Sequence, residues 1–211
     1  MTTIFIDPNN PDEQALREAA RIIMQGGIAI YPTETVYGIG VRYDDPHALE
    51  RLFDLKNRAQ HKPMLLLLPR SEDLQRISSH VPPEARLLAK RFWPGPLTLV
   101  VPAAPDLSAL VTGGGTTVGC RVSSSACAAR LVLACGIPIT STSANLSGGP
   151  NPAAISDISP DVIARADVVI DAGPTPGNIP STVYDMSHKP FRIVRPGVIP
   201  EADIISALAG C

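Results

Sequence analysis

Aromatic residues make up only 4% of this 211-residue chain and charged residues 18%, so its core must be aliphatic. An excess of positive charge is also missing. Eighteen basic against twenty acidic residues leave a formal net charge of −2, which argues against a general nucleic-acid or membrane tether. Proline or charge interrupts every apolar run well before the ~20 residues that a membrane span requires. No basic segment precedes an apolar one in Met1–Pro8, so no secretory signal is expected and a cytoplasmic location is. Cys120, Cys127, Cys135 and Cys211 form no Cys-x-x-Cys, and His47, His61, His80 and His188 form no HExxH. Buried, reduced thiols are expected, not a zinc site or a disulfide framework.

Familiar catalytic motifs are missing too. Gly113-Gly114-Gly115 resembles the start of a dinucleotide fingerprint, but Val118 stands where GxGxxG needs its third glycine. There is no Gly-Lys-Ser/Thr, no Gly-x-Ser-x-Gly and no histidine marked as the base of a nucleophile. No catalytic side chain is assigned. If the chain is an enzyme, its nucleophile belongs to a substrate.

What is present reads as one α/β domain over 1–211, without repeats or a linker. The spacing predicts a strand at Thr3–Ile6 and a helix opened by Asn10 as N-cap, Pro11 as first helical residue and Glu13 in a capping box. Gly26-Gly27 should stop that helix. Strands follow at Ile28–Tyr31 and Val36–Val41, then a helix from Asp45-Pro46. The continuous apolar run Met64–Leu68 has the pattern of a strand covered on both faces. Helices at 72–77, 84–92, 125–134, 161–166 and 201–209 alternate irregularly with strands at 97–101, 117–122, 137–140, 168–170, 182–185 and 191–195, which points to a mixed sheet.

Four stretches could carry chemistry. Lys56-Asn57-Arg58-Ala59-Gln60-His61-Lys62 packs three fixed cations and a histidine between a helix and a strand, either to grip a compact anion such as phosphate or as a solvated connection. Ser141–Pro150 offers hydroxyls, a carboxamide and glycine-flanked N–H groups suited to phosphate or ribose, or simply to a turn. Tyr31–Gly38 exposes Thr33, Glu34 and Thr35, where a carboxylate and hydroxyls could hold the ammonium and side chain of an amino acid, unless the stretch is an ordinary turn. Arg121 sits among small apolar residues and needs a carboxylate, either a structural Asp/Glu or a substrate. Arg195 and Ser181-Thr182 point weakly the same way. Together these are parts for two ligands, a nucleotide and a small carboxylate.

Tyr31-Pro32-Thr33-Glu34-Thr35-Val36-Tyr37-Gly38, Lys56-Asn57-Arg58, Lys62-Pro63, Trp93-Pro94-Gly95-Pro96-Leu97-Thr98, Val118–Val122, Ser141–Ser147, Ser181-Thr182 and Arg195-Pro196-Gly197 stand in an order that resembles the Sua5/YciO/YrdC family, over about residues 4–199. The resemblance implies a YrdC-like domain, a twisted mixed sheet flanked by helices with a basic concave cavity. It also implies threonylcarbamoyl-AMP synthase activity, in which L-threonine, bicarbonate and ATP give threonylcarbamoyl-adenylate and pyrophosphate for the modification of adenosine 37 in tRNA. By motif position, Lys56, Arg58, Lys62, Thr117, Ser143, Asn145, Asn151 and Arg195 would bind ATP. Thr33, Arg121, Ser141 and Ser181 would bind threonine, Arg121 through the carboxylate. No protein metal site is implied, and Mg²⁺ would travel with the triphosphate. Downstream transfer proteins would use the product. RNA or tRNA binding and a different carbamoyl substrate are the alternatives. Two departures stand out: no further C-terminal domain is expected, and Leu67 occupies the place of a threonine-contacting histidine of several synthases.

Overall fold

The computed structural model describes residues 2–177 and 179–209. The first third runs β1 (Thr2–Phe5), α1 (Glu13–Met24), β2 (Ala29–Pro32), β3 (Tyr37–Gly40), α2 (Pro46–Lys56) and β4 (Leu65–Leu67). The middle continues with α3 (Leu74–Ile77), α4 (Pro83–Phe92), β5 (Leu97–Pro102), α5 (Ala109–Thr112), β6 (Thr117–Arg121) and α6 (Ala126–Cys135). It closes with β7 (Ile139–Ser143), α7 (Pro160–Ala164), β8 (Val168–Asp171), β9 (Thr182–Asp185), β10 (Arg192–Arg195) and α8 (Glu201–Ala209).

The strands form one mixed sheet in the order β1-β8-β2-β3-β7-β4-β6-β5-β9-β10. Its centre is antiparallel where β7 lies between β3 and β4, and parallel where β4 meets β6 in the register Leu65↔Gly119. Both faces are covered. Leu49, Leu52 and Leu88 from α2 and α4 pack with Ile39, Leu66 and Leu99 on one side. On the other, Leu16 and Ile23 of α1 and Ala128 and Leu131 of α6 pack with Tyr31, Leu67 and Ile139. Leu66 and Leu67 therefore bury on opposite faces, which is why the run around β4 shows no polar alternation. Each such side chain contributes about 1.5–3 kcal/mol on full burial.

Three expectations change. The N-cap of α1 is Asp12, not Asn10: its backbone is extended and Oδ1 accepts from Gln14 N at 2.8 Å and Ala15 N at 3.5 Å. Pro11 thus precedes the cap and Glu13 is the first helical residue, because Asn10 N is already turned back onto Asp7 O. Ser141–Ser143 continue β7 rather than opening a loop, since Ser141 pairs with Leu65 and Ser143 with Gly38. The short α5 before Gly113 was not foreseen; Ser108 caps it through Leu110 N. The helix at Asp45-Pro46 forms as expected, with Asp45 accepting from His47 and Ala48. It ends at Asn57 in the left-handed conformation, which turns the chain sharply between Lys56 and Arg58. Cys120, Cys127 and Cys135 are free and buried; Cys211 lies outside the described residues. Among the described residues, no helix is long and apolar enough to cross a membrane.

Candidate active site

A cavity of about 300 Å³ opens where the turn between β2 and β3, with Gly38 of β3 and Leu65 of β4, meets polar residues of β6 and β7 and the segment leading to β9. Eight of the twelve candidate residues line it: Thr33, Arg58, Arg121, Ser141, Ser143, Asn151, Ser181 and Arg195. Positions as far apart in sequence as Thr33 and Arg195 are brought together there. Lys56, Lys62, Thr117 and Asn145 are not on the cavity wall.

Three arginines define the electrostatics. Arg121 is buried at the end of β6, and its Nε donates to Glu34 Oε1 at 3.0 Å. Ser123 donates to the other oxygen of the same carboxylate. Glu34 is therefore the structural partner that Arg121 required, and it holds the guanidinium in one orientation instead of standing ready for a substrate ammonium. Among the described residues the Nη atoms of Arg121 make no hydrogen bond, and the residue borders the cavity. Arg195 donates from Nε and Nη2 to Ser181 O, at 3.3 and 2.9 Å, and from Nη2 to Ser181 Oγ at 3.1 Å. Arg58 donates to Pro63 O at 2.9 Å, while its buried Nε has no partner among the described residues.

Burial lowers the guanidinium pKa of Arg58, and burial together with the Arg121 charge lowers that of Arg195. Three cations thus face one cavity whose lining, among the described residues, contains no carboxylate. Like charges held this way in a partly dehydrated space are stabilised by an anion, and guanidinium forks suit carboxylate and phosphate.

Lys56 plays another part. It is buried, and its ammonium donates to Ser143 O at 2.5 Å, Asn145 O at 2.6 Å and Asn145 Oδ1 at 3.3 Å. Burial, and after it the Arg58 charge, push its pKa down to about 7, while the three oxygens favour the charged form. That oxygen cradle explains an ammonium at this depth. Asn145 completes the lock: Oδ1 also accepts from Ser143 Oγ at 2.7 Å, and Nδ2 donates to Gly149 O and Pro150 O. Lys56 and Asn145 shape the wall from behind. Lys62 is exposed on the same turn, and Thr117 opens β6 two residues before Gly119, which pairs with Leu65 of the cavity wall.

Other local features position the site. Thr33 Oγ1 donates to Val36 O at 2.7 Å and accepts from the Thr35 and Val36 amides, so it pins the turn between β2 and β3. Gly197 packs so closely that a Cβ there would lie 2.3 Å from Pro180 O and 2.4 Å from Thr182 N. This contact seats the chain after β10 on the Ser181 segment. Gly197→Ala should therefore push Arg195 off Ser181 and cost about 1–3 kcal/mol in a urea titration, as overpacking does. An unshifted urea midpoint would refute it.

Sequence reasoning overlooked Ser123 and gave Gly38 and Leu65, which lie in the stretches Tyr31–Gly38 and Met64–Leu68, no place at the site. Ser123 lies two residues beyond Arg121, a spacing that does place both on one side of the extended chain. Leu67 is fully buried against Tyr31, Leu131 and Ile139, beneath the cavity and not on its wall.

The fold and site define an α/β domain that brings three guanidinium groups to one polar cavity. Residues 21–197 match the family Sua5/YciO/YrdC, described as "Telomere recombination". The chain belongs to the Sua5/YciO/YrdC family. It is 37% identical over 204 residues to a threonylcarbamoyl-AMP synthase of Pyrococcus abyssi, covering 97% of this chain and 60% of the relative. A threonylcarbamoyl-AMP synthase of Vibrio vulnificus is 36% identical over 157 residues, 74% of this chain and 84% of the relative. The fold superimposes on P. abyssi Sua5 complexed with L-threonine with a TM-score of 0.94 at 35% identity, over 98% of this chain and 61% of that one. E. coli YciO gives 0.80 at 27% identity, over 95% and 98%. The chain thus spans about three fifths of the P. abyssi relative's length.

Proposed function

We propose that this domain is a threonylcarbamoyl-AMP synthase, joining L-threonine, bicarbonate and ATP for the threonylcarbamoyl modification of tRNA adenosine 37. The observation that carries this reading is the convergence of Arg58, Arg121 and Arg195 on a cavity lined by no carboxylate. Two anions, an amino-acid carboxylate and a triphosphate, match that charge. The likeness to a Sua5 solved with L-threonine supports the carboxylate half.

In this reading the free Nη atoms of Arg121 hold the threonine carboxylate, with Ser181 and Ser141 beside it and Thr33 shaping the turn. Arg58, Arg195, Ser143 and Asn151 receive the nucleotide phosphates, and Lys62 and Thr117 sit at the rim. Lys56 and Asn145 hold the Ser143 strand end in place. The threonine amine and bicarbonate give a carbamate and water. The carbamate oxygen then forms a bond to the α-phosphorus as the bond to pyrophosphate breaks. The substrate is the nucleophile, so the protein's work is to hold two anions together and neutralise the charge growing on the phosphoryl oxygens. Mg²⁺ is carried by the triphosphate, since the lining offers no carboxylate ligand and the described residues include no cluster of three metal-ligating side chains.

Purified protein given bicarbonate and Mg·ATP should release pyrophosphate only when L-threonine is added. Threonine-independent release, or none, would reject the activity. Arg58→Ala should weaken ATP binding by about 1.5–3 kcal/mol, the contribution of one charge-assisted contact. An unchanged ATP titration would remove Arg58 from the nucleotide site.

A further inference from the structure

Ser181 borders the cavity, yet two other side chains already hold its hydroxyl oxygen. Arg195 Nη2 lies 3.1 Å from Ser181 Oγ and can only donate. Thr98, the last residue of the Trp93–Thr98 stretch, places its Oγ1 2.8 Å from the same oxygen, and either hydroxyl could supply the shared hydrogen. Thr98 itself does not line the cavity. It lies on β5, 1% exposed, with its methyl toward Gly119 of β6, where a Cβ would stand 3.5 Å from Thr98 Cγ2. A β-branched side chain is stiff about χ1, so packing on the methyl branch also aims the hydroxyl branch. Pro96 O accepts from Thr182 N at 3.0 Å, and the register Leu97↔Thr182 sets β5 beside the Ser181 segment.

Counting hydrogens decides the direction of the shared bond. A serine hydroxyl has one hydrogen and two lone pairs, and Arg195 occupies one lone pair. If Ser181 donated to Thr98, the Thr98 hydrogen would need another acceptor, and Thr98 Oγ1 has no second partner among the described residues. Almost no solvent reaches it there. An unmade buried hydrogen bond makes this the costlier arrangement. If Thr98 donates instead, both lone pairs of Ser181 are filled and its own hydrogen is left for the cavity.

From this we infer that Thr98 is a positioning residue, which donates to Ser181 Oγ from behind the wall and makes the Ser181 hydroxyl a fixed donor toward an anion in the cavity. The inference rests on the proposed activity for the identity of that anion, and adds to it a residue that touches no ligand. Two donors, one of them a guanidinium, draw charge from Ser181 Oγ and strengthen the bond its hydrogen makes. They also hold the side chain in one rotamer. Without Thr98, the hydroxyl keeps the Arg195 contact alone and turns more freely.

The test is a double-mutant cycle read by calorimetric titration of L-threonine and of ATP. Thr98→Val keeps the shape and removes the donor. It should weaken at least one of the two ligands by about three- to tenfold, the scale of one hydrogen bond. Thr98→Ser, which keeps the donor and loses the methyl, should bind both as wild type does. In a Ser181→Ala background, Thr98→Val should have no further effect, because the hydroxyl it acts through is gone. A packing role would weaken binding equally in both backgrounds, and that result overturns the inference. So does unchanged affinity for both ligands in Thr98→Val, or a loss as large in Thr98→Ser. If Thr98→Val does not fold, Thr98→Ala goes through the same cycle with the same outcomes. Wild type that binds neither ligand rejects the proposed activity, and the cycle titrated with inorganic pyrophosphate then tests the donor separately.

Discussion

Arg121→Ala is expected to lose threonine binding and to lower stability together. The guanidinium and Glu34 form an ion pair whose side chains are only 6% and 11% exposed, with Ser123 holding the second carboxylate oxygen. Removing the cation leaves the Glu34 charge in that buried place, and breaking such a pair from one side costs about 3–5 kcal/mol. For a domain of this size each kcal/mol moves the thermal midpoint by about 2–4 °C, so a fall of roughly 6–20 °C should follow. The double variant Arg121→Met with Glu34→Gln removes both charges and should recover much of the midpoint while still binding no L-threonine. Thermal unfolding and calorimetric titration of threonine separate the two effects. A single variant with the wild-type midpoint would show that the pair contributes nothing to the fold. A double variant that binds threonine normally would take Arg121 out of the carboxylate site.

Lys56→Met should have the next largest effect, although the side chain does not reach the cavity. Met keeps the length and apolar stem but removes the donors to Ser143 O, Asn145 O and Asn145 Oδ1. Bonds to a charged group are worth about 1.5–3 kcal/mol each, and relief from burying the charge offsets part of that, so a net loss of about 2–4 kcal/mol is expected. Hydrogen exchange should rise over residues 143–151 first, because Lys56 and Asn145 together close that turn. ATP affinity should fall as a consequence. If instead stability and exchange stay at wild-type levels while ATP binding alone is lost, the ammonium is a phosphate ligand and not a strut.

These two residues mark how much could be read from the chain alone. The basic segment 56–62 could be read as an anion grip or as a solvated connection, and Arg58 faces the cavity. Lys56, two positions earlier, has the same charge and faces inward, because α2 ends between them in the left-handed turn at Asn57. Residue type gave no means of telling them apart. Arg121 was legible as a buried cation needing a carboxylate. That the carboxylate would be Glu34, 87 positions away, depended on how the strands were ordered. The helices announced themselves through periodicity and caps, although Asp12 rather than Asn10 caps α1, since two polar residues on either side of Pro11 can compete for one cap and a local turn decided it.

The α/β class, the aliphatic core, the place of nearly every strand and helix, and the residue types that line the cavity could be read from the chain alone, because these follow from local periodicity and side-chain chemistry. Tertiary structure alone decided which cations line the cavity and which hold its wall from behind. Both outcomes depend on strand order and register, which bring distant segments within 3–4 Å of one another, and no local pattern in the chain encodes that distance.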